Sequence, residues 1–315
     1  MRAKDTTTTR ALMNLLLESE LLAIAGALRE ANIRCTVLKG IPLTHRLYQH
    51  IDARTMSDVD LLVEPHRVNE AHQVLTNLGF KPWTTVPLTT ARRLSNTHGY
   101  ERSSHGVTIY VDLHWTAFPV TLPMPLELQW QHTEPFELQN QQLTVFDPAM
   151  TILHLTAHLA KDGFLNGQTL TDLARAWARW SSSLDWAQFS QLREAGQLSR
   201  ALNHGLASAA ALGLLSVPNT SRRTLLQWVM PQPLVEARLQ GQMPPQATLI
   251  YRQALSRYLV GDLSAGGRHL MRQLLPPRAI LEDLVGPRAT WQLPGAYLRR
   301  ALHPVLGRSS ERVNP

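Results

Sequence analysis

Two aspartates, Asp58 and Asp60, are separated by one residue in the apolar run MSDVDLLVE (56–64). On a β-strand the side chains alternate between faces, so both carboxylates project from one face and Val59 and Leu61 from the other. Adjacent carboxylates repel each other unless a cation lies between them, and Mg²⁺ prefers such oxygen ligands. The pair therefore predicts a magnesium site on a buried strand.

A third carboxylate lies in a second apolar run, TIYVDLHW (108–115), where Asp112 and His114 share one face. If this strand pairs beside the strand of Asp58 and Asp60, three carboxylates converge. Such a group is what two-metal phosphoryl transfer requires, because one cation assists the attacking oxygen and the other the leaving pyrophosphate. The spacing therefore indicates phosphoryl-transfer chemistry.

The elements that must hold these residues follow from hydrophobic periodicity. Helices are predicted where apolar residues recur every three or four positions, and strands where short apolar runs end at glycine or polar turns. In chain order the predicted elements are a helix at 10–31, a strand at 34–40, a helix at 41–50, a strand at 56–64, a helix at 64–80 and a β-hairpin at 100–115. We expect an α/β domain over residues 1–147, with its core at about 10–118.

The pattern changes after residue 118. A proline-rich segment is followed by a connecting hairpin or extended segment at 137–148, and from Ala149 onward the periodicity is helical. The predicted helical segments are 149–162, 169–180, 185–215, 221–230 and 246–260. The fold class is therefore α+β, an α/β domain followed by an all-helical domain at 148–315.

Composition limits the class of protein. Hydrophobic residues make up 44% of the chain and charged residues 17%, which favours a packed core over disorder. The single cysteine, Cys35, excludes an intramolecular disulfide and is expected to be buried. Because acidic residues precede and interrupt the first apolar run, we expect no secretory signal. Because no uninterrupted apolar stretch reaches the roughly 18 to 20 residues that span a bilayer, we expect no membrane span and a cytoplasmic location.

The positive charge is concentrated near the C-terminus. The formal net charge is +7, and residues 251–315 contain ten arginines against four acidic residues. Such a bias can face phosphates or nucleic acid, or it can be a solvated surface.

The motifs together resemble a known family. The segment VLKGIPLTHRLYQHIDARTMSDVDLLVEPHRVNEAHQVLTNLGF (37–80), followed by VDLHW (111–115), is similar to the uncharacterised nucleotidyltransferase family of the DNA polymerase β superfamily. A looser likeness extends into the helical half. The resemblance implies a polymerase β-like nucleotidyltransferase domain with a small mixed sheet, followed by an all-helical domain.

The resemblance also implies the roles of individual residues. Asp58, Asp60 and Asp112 would be the catalytic carboxylates and metal ligands, and Asp112 would help to activate the acceptor hydroxyl. The expected nucleotide-binding residues are Lys39, Gly40, Arg54, His98 and His114. Ile41 stands where the superfamily usually has a serine, so Lys39 is expected to supply a point charge to the phosphates.

The implied activity is Mg²⁺-dependent transfer of a nucleoside monophosphate from a nucleoside triphosphate to a hydroxyl or phosphate acceptor, with release of pyrophosphate. Mn²⁺ is the expected substitute for Mg²⁺. The acceptor is not identified; the basic C-terminal fifth favours an anionic small molecule, a peptide or RNA. The alternative is a non-catalytic nucleotide-binding adaptor or regulatory module.

A further alternative is a zinc hydrolase. His154, His158 and Asp162 recur every four residues on one helical face, a spacing that can bind zinc. No glutamate follows His154, so the metalloprotease signature is absent. We expect these histidines to pack in the core or at the domain interface, where they could also line the cleft, and Asp172 to cap or pair there.

Overall fold

The computed structural model describes residues 2–216, apart from 105, 120, 121, 123 and 165. The helices are α1 (Arg2–Glu30), α2 (Ile41–Leu47), α3 (Val68–Asn77), α4 (Leu88–Leu94), α5 (Leu126–Gln131), α6 (Pro148–Lys161), α7 (Gly167–Trp180), α8 (Trp186–Ala195) and α9 (Ser199–Ala211). The strands are β1 (Cys35–Val37), β2 (Asp58–Val63), β3 (Lys81–Pro82), β4 (Thr97–Ser104), β5 (Val107–His114), β6 (Thr133–Leu138) and β7 (Gln141–Phe146). Short 3₁₀ turns lie at Ile51–Ala53, Pro65–Arg67 and Ser181–Ser183.

The described strands form one mixed sheet of seven strands in the order β3-β4-β5-β2-β1-β7-β6. β2 lies between β5, to which it is parallel, and β1, to which it is antiparallel. The strands that carry the two aspartate motifs are therefore direct neighbours, as the sequence argument requires. The mixed α+β class is confirmed.

Each face of the sheet packs against a different set of helices. One face, which we call the closed face, carries Val59, Leu61, Val111 and Leu113 and packs on α1 and α3. The other, which we call the site face, carries Leu62 on β2 and shares a core with α6–α9. Because side chains alternate along β2, Asp58 and Asp60 lie on the site face.

The hairpin at 133–146 extends the sheet. The sequence indicated a connection between two domains at this point, yet β7 pairs in parallel with β1 through Val37 and Val145. Leu143 and Val145 lie in the core of the closed face. The alternation of buried residues in β7 is therefore that of a sheet strand.

Three short elements were missed by the sequence analysis: β3, α4 and α5. The predicted helix at 185–215 is two helices, since the chain turns between α8 and α9 at Gln197, whose φ is +53°. The missed elements β3, α4 and α5 contain too few residues for a periodic signal. Cys35, which was expected to be buried, is half-buried.

Helix α1 begins at Arg2, earlier than predicted. Its segment Thr7–Glu30 is long and apolar enough, by length and composition alone, to cross a membrane. In this fold its later apolar side chains, from Leu17 to Leu28, form part of the core, whereas Leu12 and Leu15 are exposed. Glu18 contacts His45 at 2.6 Å and Glu20 pairs with Arg102, so both acids have partners within the protein.

The helical half is described only as far as residue 216. The predicted helices at 221–230 and 246–260 and the basic segment at 251–315 lie outside the described residues. The predicted boundary at 147/148 coincides with the junction between β7 and α6, and the division into two domains stays a prediction. Within the described range, side chains of α6–α9 and of the sheet form one continuous core.

Candidate metal and nucleotide site

Two parallel strands bring Asp60 and Asp112 together. In the register of β2 and β5, Asp60 lies directly opposite Asp112, and Leu62 lies opposite His114. The burial of Val59 and Leu61 on the closed face fixes this alternation, because a shift of one residue would move both carboxylates into an apolar core. The core therefore positions the site.

Asp60 is buried, with 2% of its side chain exposed, and a lysine and a histidine contact it. Lys39 Nζ lies 2.6 Å from Oδ2, and His114 Nε2 lies 3.0 Å from Oδ1. Burial alone would raise the pKa of Asp60, but Lys39 and His114 lower that pKa well below its usual value. Asp60 is therefore an ionised carboxylate held between the Lys39 ammonium group and the His114 ring.

Asp112 has a different environment, although it lies opposite Asp60. Burial raises its pKa, and the negative charge of Asp60 raises it further. One ligand atom from each of Asp60, Asp112 and His114 can be chosen so that all lie within 4.8 Å of one another. This group, which we call the ligand triad, has the donor atoms and the spacing to hold a divalent cation.

Asp58 lies on the same face, two residues nearer the start of β2 and opposite Tyr110. Its Oδ1 accepts a hydrogen bond from Ser57 Oγ at 3.1 Å. Its charge acts on both Lys39 and Asp112, so it belongs to the same electrostatic neighbourhood. Asp58 is not in the ligand triad, where His114 stands instead, and its role as a metal ligand stays a prediction.

Lys39 and Gly40 lie where the sequence analysis expected them, beside the carboxylates. Burial would lower the pKa of Lys39, but the charges of Asp60, Asp58 and Asp112 outweigh burial and raise it. Gly40 has φ +74°, in the left-handed region that favours glycine. A Cβ there would have ordinary room, 3.8 Å from the Asp58 carbonyl oxygen, so backbone conformation is what requires glycine.

Arg54 is held by Asp172 of α7. The Arg54 Nη2 donates to Asp172 Oδ2 at 2.8 Å, and Nε contacts both carboxylate oxygens at 3.1 Å. Tyr48 and Gln168 also donate to Asp172, at 2.5 and 3.2 Å. The structure shows that Asp172 pairs with Arg54, while the domain interface at which this pairing was expected stays a prediction. The phosphate contact predicted for Arg54 also stays a prediction, since its guanidinium already binds Asp172.

His98 is placed differently from what the resemblance implied. It pairs in register with Leu113 and therefore lies on the closed face, with the sheet between it and the ligand triad. Its Nε2 lies 3.1 Å from the Val86 carbonyl oxygen, and its ring packs edge-on against Tyr100. The predicted contact between His98 and a nucleotide at the triad is corrected accordingly.

The predicted zinc group does not converge. Among the residues that the structure describes, the ligand triad is the one group of three with metal-ligand spacing. His154 is buried between the rings of Phe118 and Phe146, and His158 Nδ1 lies 3.3 Å from Asp162 Oδ2. Burial lowers the pKa of His154 well below its usual value, and the charges of His158, Lys39 and His114 lower it further. His154 is therefore a neutral core histidine beside the site.

One supporting residue was missed by the sequence analysis. Asn96, which precedes β4, lies with Nδ2 3.5 Å from His114 Nδ1 and 3.1 Å from the Thr116 carbonyl oxygen. It orients the imidazole from the side opposite Asp60. No motif spacing marks Asn96, because the pairing of β4 with β5 alone brings it there.

Comparisons with known proteins bear on this site. A family model described as an uncharacterised nucleotidyltransferase matches residues 1–213. A search of curated proteins finds no match. The chain is similar to the crystal structure of an antigenic nucleotidyltransferase-like protein from Paracoccidioides brasiliensis, at 14% identity over 78% of this chain and 97% of that chain, with a TM-score of 0.35.

That TM-score is too low to carry an argument, so the family match carries the assignment. It covers more than half of the chain, including β1, β2 and β5 with the ligand triad. The resemblance drawn from the motifs is confirmed: this protein belongs to the uncharacterised nucleotidyltransferase family.

Proposed function

We propose that the protein is a divalent-metal-dependent nucleotidyltransferase that moves a nucleoside monophosphate from a nucleoside triphosphate to a hydroxyl acceptor. The observation that carries this proposal is the ligand triad, in which Asp60 and Asp112 face each other on adjacent strands beside Lys39. The family membership supports the same reaction class.

The residues present suit Mg²⁺ or Mn²⁺. Asp60 and Asp112 supply oxygen ligands from a largely buried position, and two facing carboxylates favour a cation between them. Asp58 supplies a further oxygen at the same face, and His114 holds Asp60 in place. Bound there, divalent cations would neutralise charge on the triphosphate oxygens.

Lys39, Gly40 and Asp112 then have separate roles in the transfer reaction. Lys39 supplies a positive charge beside the triphosphate, and Gly40 leaves its backbone open to it. The acceptor oxygen forms a bond to the α-phosphorus, the bond from the α-phosphorus to the bridging oxygen breaks, and pyrophosphate leaves with that oxygen. A carboxylate oxygen of Asp112 accepts the hydroxyl proton. Positioning and charge neutralisation supply most of the rate enhancement.

One observation favours the non-catalytic alternative. Lys39 already neutralises Asp60 at 2.6 Å, so the fold has no need of a metal to accommodate that carboxylate. A nucleotide-binding module could keep this arrangement without transfer. The two readings agree on nucleotide binding and differ on turnover.

The deciding experiment uses ATP labelled with ³²P at the α- or the γ-phosphate, incubated with Mg²⁺ and candidate acceptors. The proposal expects α-label to appear on an acceptor while γ-label leaves as pyrophosphate. Transfer of γ-label alone would indicate kinase chemistry and overturn the proposal. Mg²⁺-dependent ATP binding without turnover across the acceptors would favour the non-catalytic module.

A further inference from the structure

An exposed tryptophan lies next to the ligand triad. Trp83 follows β3, and its amide donates to the Gly99 carbonyl oxygen at 3.2 Å. Gly99 on β4 is in turn opposite Asp112 on β5. Side chains at paired positions share a face, so Trp83, Gly99 and Asp112 form one row across the site face.

The missing side chain of Gly99 makes room for the indole. A Cβ built at Gly99 would overlap the indole ring of Trp83, with Nε1 as its nearest atom. The indole therefore lies over β4, the strand that pairs with β5 and its Asp112. Neighbouring strands are about 4.8 Å apart, so one small ligand can contact both the Trp83 indole and the Asp112 carboxylate.

Tyr110 lies beside the indole, and we call the surface formed by Trp83 and Tyr110 the corner. Its ring centroid is 6.4 Å from that of Trp83, with the planes at 74°. Tyr110 pairs with Asp58 on one side and with Glu101 on the other, so it too lies on the site face. Each of the two aromatic side chains is 40% exposed, so part of each ring is open to a ligand.

The direction of in-line transfer assigns this corner to the acceptor. The attacking and leaving oxygens lie on opposite sides of the α-phosphorus. Lys39 and Gly40 are on the β1 side of β2, and Trp83 is on the far side of β5. If pyrophosphate leaves toward Gly40, the acceptor approaches from the side of Trp83. The Asp112 carboxylate then lies beside the acceptor hydroxyl, where it can take the proton without blocking the approach to the α-phosphorus.

The charges around the corner disfavour an anionic acceptor. In the described residues, the site face carries the carboxylates of Asp58, Asp60, Asp112 and Glu101, against the ammonium groups of Lys39 and Lys81. The Arg54 guanidinium also acts on Asp58, but it is already paired with Asp172. Glu101 stands in the row of Tyr110 and would repel a phosphate placed on the indole. It can instead accept hydrogen bonds from hydroxyl groups.

We propose that Trp83 and Tyr110 form the acceptor subsite of the transferase and that the acceptor is a neutral sugar ring. This inference rests on the proposed function. The C–H face of the ring packs on the indole, and ring hydroxyls donate to Glu101. One hydroxyl reaches Asp112, which accepts its proton as the oxygen bonds to the α-phosphorus and pyrophosphate leaves.

The test measures sugar binding and nucleotide binding separately. Methyl glycosides of glucose, galactose, mannose and N-acetylglucosamine are titrated by saturation-transfer NMR, and MgATP by calorimetry. The proteins are the wild type, Trp83→Ala, Gly99→Ala and the control Trp186→Ala, which removes an exposed tryptophan from α8. Gly99→Ala keeps the tryptophan but displaces its indole.

We expect at least one glycoside to bind the wild type and the Trp186→Ala variant alike. Its affinity should fall roughly tenfold in both Trp83→Ala and Gly99→Ala, while MgATP binds all four proteins equally. The proposal is overturned if no glycoside binds, or if binding survives Trp83→Ala. It is also overturned if Trp83→Ala weakens MgATP itself, since the indole would then hold the nucleobase. Failure of MgATP to bind the wild type would refute the proposed function, while the glycoside titrations still decide the subsite.

Discussion

Two ion pairs with similar distances between their charged atoms have different surroundings. Lys39 lies 2.6 Å from Asp60, and Arg54 lies 2.8 Å from Asp172. In the second pair the carboxylate also accepts hydrogen bonds from Tyr48 and Gln168. In the first, Asp60 contacts His114 as well, but it also faces Asp112, a second carboxylate whose pKa is raised by burial and by Asp60.

The difference separates a structural pair from the pair to which we assign the proposed function. Asp172 has its acceptor capacity filled by neighbouring donors, so it joins α7 to the segment before β2 and offers little to a ligand. The Asp60 pair faces a second, half-buried carboxylate, Asp112, and two neighbouring carboxylates suit a cation between them. Burial and salt-bridge distance alone would rank the two pairs as equals.

The largest predicted effect is on catalysis. Asp60→Asn keeps the side-chain volume but removes a charge from the ligand triad, so transfer of α-label should fall by about a thousandfold or more. Lys39 retains Asp58 and Asp112 nearby, so the variant should stay folded by circular dichroism. Substantial turnover by the folded variant would exclude Asp60 from the centre.

The next effect is on stability. Asp172→Asn leaves the buried Arg54 guanidinium without its carboxylate, and we expect the free energy of unfolding to fall by about 3–5 kcal/mol. Denaturant titration measures this. The matched control is Asp185→Asn, at an exposed N-cap where asparagine caps equally well, which should change little. If both variants lost the same free energy of unfolding, the Arg54–Asp172 pair would not stabilise the fold more than an exposed N-cap does.

A smaller effect is expected at Gly40. Alanine at its φ of +74° should cost about 1–2 kcal/mol through backbone strain. Gly106→Ala is a matched control, because Gly106 has φ +76° and open space around its Cβ position in the β4–β5 hairpin. Both variants should lose similar stability, but only Gly40→Ala should raise the KM for the nucleotide. A rise of the KM in both variants would mean that Gly40 has no specific role in phosphate binding.

The smallest effect is predicted for His98. Because the sheet separates this ring from the ligand triad, His98→Gln should leave MgATP affinity unchanged by calorimetry. Glutamine can still donate to the Val86 carbonyl oxygen, which limits the loss of stability. Weakened nucleotide binding in a stable variant would restore the role that the family resemblance implied.

The sequence predicted those parts of the site that depend on local periodicity. Alternation along β2 places Asp58 and Asp60 on one face, and the same rule groups Asp112 with His114. The glycine after Lys39 marks a turn, and the structure gives it a positive φ. These inferences need no knowledge of distant contacts.

The remainder depended on pairing between distant segments. The register that sets Asp60 opposite Asp112 comes from the packing of both strands on the closed face. His98 was misassigned because its face depends on the β4–β5 hairpin, where Ser104 pairs with Val107 and a shift of one residue would reverse it. The partner of Arg54 lies 118 residues away on α7, beyond any local pattern.

The central claim is that Asp60 and Asp112 form the metal-dependent nucleotide site and that the Arg54–Asp172 pair does not. Mn²⁺ titration followed by electron paramagnetic resonance, in the presence of ATP, tests it most directly. We predict protein-bound Mn²⁺ in the wild type and in folded Asp172→Asn, and its loss in the double variant Asp60→Asn, Asp112→Asn. Undiminished Mn²⁺ binding by the double variant would contradict the account.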